Sequence, residues 1–352
     1  MNKILTIVIP TYNMEKYLRR CLDSLIIDDK ELLKKIEVLV INDGSTDSSS
    51  AIAHEYQEKY SDVFRVIDKE NGNYGSCVNR GIKEATGKYI KILDADDYFS
   101  SPDFKVYLEQ LLNLQADMIL TDFSLVDSTN KTITESTCDL SIRKLMRFKD
   151  VYTSNFMKNI EMHAITYLKE NLQKIGYKQT EGISYTDQEW SFCPMSEVKI
   201  VYYFPCNLYQ YFIGRQGQTV DPKVFYKSIS QNFMVMKSTI DYYYEVKEKL
   251  SEEHKKYLYN RLCDRIKILY RNYIADQLSH GLEIPEFKDF DLFLKSNLTT
   301  FYIESGDYCR LDKWLPYKFL KEWRKNGNSL FLKFMFFIYN GIETYRKIRN
   351  KL

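Results

Sequence analysis

Lys91-Ile92-Leu93-Asp94-Ala95-Asp96-Asp97 runs from an apolar strand straight into three carboxylates within four residues. Charges so crowded repel one another, and a divalent cation is the commonest reason for a fold to hold them there. Hard cations take oxygen ligands and bridge to phosphates. In open α/β sheets ligands bind in the crevice beyond the carboxyl ends of the strands, which is where this run would put its acids.

The preceding residues supply such a sheet. Ile4–Ile9 is a continuous apolar run, as expected of a strand buried on both faces, and Pro10-Thr11-Tyr12-Asn13 stops it. Leu18, Cys21, Leu22 and Leu25 recur at helical spacing, and Ile36–Ile41 forms a second buried strand. Asn42-Asp43-Gly44-Ser45-Thr46-Asp47 is turn and N-cap chemistry, leading a helix to about Lys59. Phe64–Ile67 reads as a third strand, Asn71–Gly75 as a loop, Val78, Ile82 and Ala85 as a helix, and Tyr89–Leu93 as the fourth strand. This β-α order predicts a doubly wound, mostly parallel, right-handed sheet. Beyond Asp97 a helix is expected over Phe104–Leu114, a strand over Met118–Phe123, a helix over Met162–Gly176 and two strands, Lys199–Tyr203 and Leu208–Ile213. From about Tyr226 the chain reads as helical, with Leu258, Leu262, Ile266, Leu269 and Tyr273 in one apolar stripe. The expected division is a catalytic domain over 1–225 and a helical region over 226–352.

Composition narrows the class. With 352 residues, 44% of them hydrophobic, the chain has the material for a substantial core. The formal net charge is only +2, but residues 313–352 hold ten Lys/Arg against two acidic residues, so the tail is strongly basic and the rest acidic. Seven cysteines without a C-x-x-C pair read as reduced thiols of a cytosolic protein. The N-terminus does not read as a signal peptide, and no apolar window reaches the ~18 residues of a spanning helix. Four widely spaced histidines do not suggest a zinc site.

Thr6-Ile7-Val8-Ile9-Pro10-Thr11-Tyr12-Asn13, Val38–Asp47 and Asp94-Ala95-Asp96-Asp97 together resemble family 2 glycosyltransferases of the GT-A fold, strongly over residues 1–100 and more weakly to about 220. The resemblance implies inverting transfer of a hexosyl or N-acetylhexosaminyl group from a nucleotide-sugar, most readily a UDP-sugar, with Mn²⁺ or Mg²⁺ as cofactor. It gives Asp96 to the metal, Asp94 to the ribose or an outer contact, and Asp97 to orienting the turn, with Ala95 between them. Pro10, Thr11, Tyr12 and Asn13 would line the nucleotide pocket, and Asp43 would accept from the base. Asn73, Gly75 and Asn79 match a glycine-bearing donor loop, although the Arg usual there is displaced to Arg80. Thr186-Asp187 stands where the family has Glu-Asp, which makes Asp187 the candidate general base, with Glu189 as its rival. Trp190 is an acceptor platform or core, and His163 an acceptor-facing or structural residue. Arg215 would reach the diphosphate, with Gln218 beside it.

The acceptor implied is a hydroxyl of a glycan or lipid-linked saccharide in cell-surface polysaccharide synthesis. The basic, aromatic segment 313–352 suits an anionic membrane surface, which would place the protein in the cytoplasm, peripheral on the inner face of the membrane. Internal packing or a homodimer interface is the alternative. No nucleic-acid motif is present. Two competing readings are a nucleotidyltransferase, whose Gly-rich N-terminal loop is missing after the first strand, and an inactive sugar-nucleotide-binding scaffold.

Overall fold

A computed structural model describes residues 2–127, 131–135, 138–214, 229–281 and 283–349. It divides into two compact units: residues 1–231 with 242–257, and residues 232–241 with 258–352.

The first unit is built on one ten-stranded sheet. Its strands are β1 (Leu5–Thr11), β2 (Ile36–Asn42), β3 (Phe64–Asp68), β4 (Tyr89–Ile92), β5 (Tyr98–Phe99), β6 (Met118–Val126), β7 (Thr132–Glu135), β8 (Leu145–Arg147), β9 (Ile165–Leu168) and β10 (Ile200–Phe212). The main order is β3-β2-β1-β4-β9-β6-β10-β5. The first four strands in that order are parallel, as the alternating pattern predicts. Beyond β4 the sheet is mixed, because β9 pairs antiparallel with both β4 and β6. Every residue of β2 and β4 is buried, which explains why apolar side chains dominate both strands.

Three local expectations are corrected. Met162–Gly176 is not one helix: a 3₁₀ turn (Met162–Ala164) feeds β9, and only Lys169–Lys174 is α-helical. Ile165-Thr166-Tyr167 is β-branched and aromatic, and sheet pairing on both edges overrides the helical spacing around it. The two strands expected over 199–213 are one, β10, whose register against β6 shifts at Phe204/Asn207 and at Asn207/Tyr209. The loop expected over Asn71–Gly75 gives way to helix at Asn73, which takes φ 65°.

Lys91 is the one charged side chain of β4, and it is fully buried. Its ammonium donates to the carbonyls of His163 (2.8 Å) and Ile165 (3.2 Å), which fastens β4 to the turn carrying His163. Its pKa is pushed down to about 7 by burial.

The second unit has its own core. Leu258, Leu262, Ile266, Leu269 and Tyr273 are all buried, as their stripe predicts. The Phe287 ring stacks on Tyr273 at 3.6 Å, and Arg324 pairs with Asp291 at 2.9 Å. All seven cysteines are unpaired, and among the described residues no helix is long and apolar enough to cross a membrane.

The titration of Lys91 gives a pH signature. Its folded pKa of about 7 lies below the value near 10.4 of an unfolded chain, so between those pH values the unfolded state holds more protons. Stability should therefore rise with pH across that window. Lys91→Met removes this contribution, and thermal midpoints measured from pH 7 to 9.5 should rise less steeply than in the wild type. Parallel curves would mean that Lys91 does not carry it.

Candidate active site

Parallel pairing brings the three sequence motifs to one edge. β1 lies between β2 and β4, with Thr11 opposite Asn42 and Val8 opposite Ile92. The turns after β1, β2 and β4 therefore emerge side by side at the carboxyl end of the sheet. Asp43 N–H donates to the Thr11 carbonyl (2.8 Å), and Leu93 N–H to that of Val8 (3.0 Å).

The Pro10–Asn13 turn is stitched to the next one. Asn13 sits at φ 54°, and its side-chain oxygen accepts from Thr46 N–H at 2.8 Å, while its own N–H donates to Ser45 Oγ at 3.0 Å. Tyr12 is half exposed over this turn. Asp43 is buried, and its Oδ1 accepts from Lys69 Nζ (2.6 Å) and Gly72 N–H (2.9 Å). One face of the proposed base-reading carboxylate is thus fixed from within the chain.

In the acidic turn the three carboxylates have different surroundings. Asp97 is fully buried and accepts from Tyr209 Oη and from Phe212 N–H, both at 2.7 Å. It anchors the turn to the end of β10, which gives the orienting role a specific geometry. Asp94 Oδ1 accepts from Tyr74 Oη (2.8 Å), and Asp94 N–H donates to Tyr209 Oη (3.1 Å). Ala95 is buried between them, and Asp96 is also buried, with its backbone carbonyl accepting from Arg20 Nη2 (2.8 Å). Burial and the charge of Asp96 push the Asp94 pKa up to about 6, and burial, then Asp96 and Asp94, raise Asp97 well above the usual carboxylate range.

His163 completes the tightest group of metal-ligating side chains among the described residues. Its ring nitrogen and carboxylate oxygens of Asp94 and Asp97 lie within 4.8 Å of one another. The ring is nearly buried, stacks on Tyr211 at 4.5 Å, and meets Tyr209 edge-on at 4.7 Å. Its Nδ1 lies 3.5 Å from Glu161 and makes no hydrogen bond.

Asp187 opens the short helix Asp187–Trp190, with Thr186 rather than Asp187 at the N-cap position. It is half-buried, and its charge reaches both Asp94 and Tyr74, raising each pKa. Tyr185 precedes it at φ 66°, a backbone conformation costly for a bulky residue.

Other candidates are engaged elsewhere. Glu189 is buried, with one carboxylate oxygen accepting from Thr180 N–H and the other from Thr180 Oγ1, both at 2.7 Å. Trp190 is wholly buried against Tyr167 (4.9 Å) and Tyr177 (5.7 Å), so it is core. Asn79 donates to the Gln179 carbonyl and Glu181 Oε1 and accepts from Gln179 N–H, clamping the segment that leads to Asp187. Gly75 faces the same segment, where an added Cβ would lie 2.1 Å from the Thr180 carbonyl oxygen. Asn73 accepts from Ser76 Oγ through its carbonyl. Arg215 and Gln218 lie outside the described residues.

Sequence reasoning gives no role to Tyr74, Lys69, Arg20, Tyr209 or Tyr211. The i, i+2 spacing of Tyr209 and Tyr211 at a strand end, which puts both rings on one face, is the only local signal for any of them.

This sheet order and acid-lined crevice are those of the GT-A fold. Residues 6–175 match the model of glycosyl transferase family 2, so the chain carries a domain of that family. The uncharacterized glycosyltransferase MG025 of Mycoplasma genitalium is 39% identical over 131 residues, 37% of this chain and 42% of that protein. The uncharacterized glycosyltransferase EpsJ of Bacillus subtilis is 36% identical over 132 residues, 38% of this chain and 37% of that protein. The chain thus spans about two fifths of the length of these curated relatives. Among solved structures, S. aureus TarS residues 1–349 match with a TM-score of 0.55 at 18% identity, covering 93% of each chain. The same protein in complex with UDP-GlcNAc gives 0.51. These likenesses establish the fold.

The acids separate by experiment. Asp97→Ala leaves Tyr209 Oη and Phe212 N–H without their buried acceptor, and should lower unfolding free energy by about 1–3 kcal/mol in urea titrations. Asp96→Ala removes a charge that repels its two neighbours, so the metal-free protein should lose less stability than it does with Asp97→Ala. Equal destabilisation by both would merge the structural and functional roles.

Proposed function

We propose that this chain is a metal-dependent, inverting glycosyltransferase that takes a hexosyl or N-acetylhexosaminyl group from a UDP-sugar. The acceptor is a hydroxyl of a glycan or lipid-linked saccharide in cell-surface polysaccharide synthesis. The observation that carries this reading is the parallel pairing that brings the Pro10–Asn13, Asp43 and Asp94–Asp97 turns together at the carboxyl edge of a sheet with the GT-A fold.

The residues suit a divalent cation. Three carboxylates in one turn, two of them with raised pKa values, form a concentration of negative charge that a dication relieves. Oxygen donors with one imidazole fit Mn²⁺ or Mg²⁺ better than softer metals. The family resemblance gives the ion to Asp96, while the side chains whose ligand atoms lie within 4.8 Å of one another, and which would also hold it, are Asp94, Asp97 and His163. When bound, the ion supplies Lewis-acid neutralisation of the diphosphate leaving group.

The chain's own residues do the rest. The turn Pro10–Asn13 and Asp43 hold the nucleoside at the strand ends, Tyr12 covers it, and Lys69 fixes the Asp43 carboxylate. Tyr74 orients Asp94 by its hydrogen bond. Asp187 accepts the proton of the acceptor hydroxyl as that oxygen bonds to the anomeric carbon and the carbon–oxygen bond to the diphosphate breaks. Nucleoside diphosphate leaves and the anomeric configuration inverts.

Thermal-shift titration with UDP and UDP-sugars, each with Mn²⁺ and with EDTA, tests the site directly. A metal-dependent shift that Asp96→Ala abolishes is expected. No shift with any nucleotide in folded protein would favour a scaffold, and pyrophosphate release would mean nucleotidyl transfer. Asp187→Asn should lower kcat by about 10²–10⁴-fold with donor affinity little changed. Normal kcat with weakened donor binding would remove Asp187 from the base role.

A further inference from the structure

The helix Leu330–Arg349 carries two apolar faces. One is used: Leu332 and Phe336 are buried, and Phe336 meets Phe319 at 5.8 Å and Tyr339 at 6.5 Å. At about 100° per residue, Leu330, Phe334, Phe337, Gly341 and Tyr345 fall on the opposite side. There Leu330 is 84% exposed, Phe334 57%, Phe337 76% and Tyr345 65%. Phe331 borders this stripe, and Trp314, in the loop before the preceding helix Phe319–Asn326, is 74% exposed. A contiguous row of large exposed apolar side chains marks an interaction surface.

Its setting is pre-ordered and basic. Arg346 makes two hydrogen bonds to the Asp312 carboxylate, 2.7 and 2.8 Å, and Asp312 also accepts from Trp314 N–H, which couples the Trp314 loop to the helix. The nearby acids are already matched: Asp312 and Glu343 by Arg346, and Asp307 by Lys318 and Lys321. Lys313, Lys325 and Lys333 are exposed around the aromatic rings.

We propose that the outward face of this helix, with Trp314, is a lipid-binding surface that lies in the headgroup region of an anionic bilayer. Charge selects this occupant. Residues 313–352 hold ten Lys/Arg against two acidic residues, so a second copy docked through the same face would oppose like charge to like, whereas anionic headgroups neutralise it. Aromatic rings interleaved with lysines suit the interfacial zone, and Lys333, Glu343 and Arg346 along the helix keep it in the surface plane. The proposal rests on the second unit alone and is independent of glycosyl transfer.

Cosedimentation of the full chain with vesicles of phosphatidylcholine, and with vesicles containing phosphatidylglycerol as well, tests it. Binding should be selective for the anionic vesicles and weaken with salt. The double variant Phe334→Ser/Phe337→Ser, at two exposed positions, should bind at least about tenfold more weakly. Its thermal midpoint and UDP-induced shift should stay those of the wild type. Equal vesicle binding by the variant, or none by the wild type, would overturn the proposal. So would a wild-type dimer in light scattering that the double variant dissociates, because the face would then belong to a second copy.

Discussion

Three carboxylates share one four-residue turn, and their mutual repulsion under burial sets the terms for everything around them. Burial and neighbouring charge raise Asp94 and Asp97, so the turn would splay if the chain did not bind it at several points. Tyr209 does most of this: its hydroxyl donates to Asp97 and accepts from Asp94 N–H. Phe212 N–H takes the other Asp97 oxygen, Tyr74 holds Asp94, and Arg20 holds the Asp96 carbonyl while its guanidinium lies 4.5 Å from the Tyr98 ring and 4.4 Å from that of Phe212. The neutral hydroxyls and the backbone amide satisfy oxygens without cancelling charge.

The same economy appears at Asp43. There the chain does supply a cation, Lys69, and it docks on one oxygen together with Gly72 N–H. The base contact proposed for Asp43 needs its carboxylate held in a single orientation, and a buried ion pair gives more orientation than net stability. Lys91 plays a comparable part in the sheet. Its ammonium, buried behind the acidic turn, gives up much of its basicity to hold the backbone of the turn that presents His163.

What the sequence made legible follows from distance along the chain. Strands β1–β4 and their order are written in local apolar runs and turn chemistry, and parallel pairing then carries Thr11, Asp43 and Asp94 to one edge without further information. Asp187 is singled out as a candidate only by family resemblance, since nothing local distinguishes it from a helix-capping acid. Asn79 and Glu189 illustrate the limit. Each is a polar residue in a motif-bearing stretch, yet each spends its side chain on Gln179, Thr180 or Glu181, and the Asn79 contacts lie about a hundred positions away. Met162–Gly176 misleads for a related reason: its helical spacing is real, but β9 fills the gap between β4 and β6, and a sheet interior outweighs local preference.

The second unit reverses this relation between pattern and meaning. The tail looks uniformly aromatic and basic in sequence, and only the structure sorts its rings. Phe319, Phe336 and Leu332 are core, whereas Phe334, Phe337 and Trp314 are not. Burying the inner face satisfies the need for a folded helix; it provides no reason for phenylalanines on the outer face, where lysine or glutamate would fold as well and dissolve better. Residues that are unnecessary for folding and unfavourable in water point to an environment other than water.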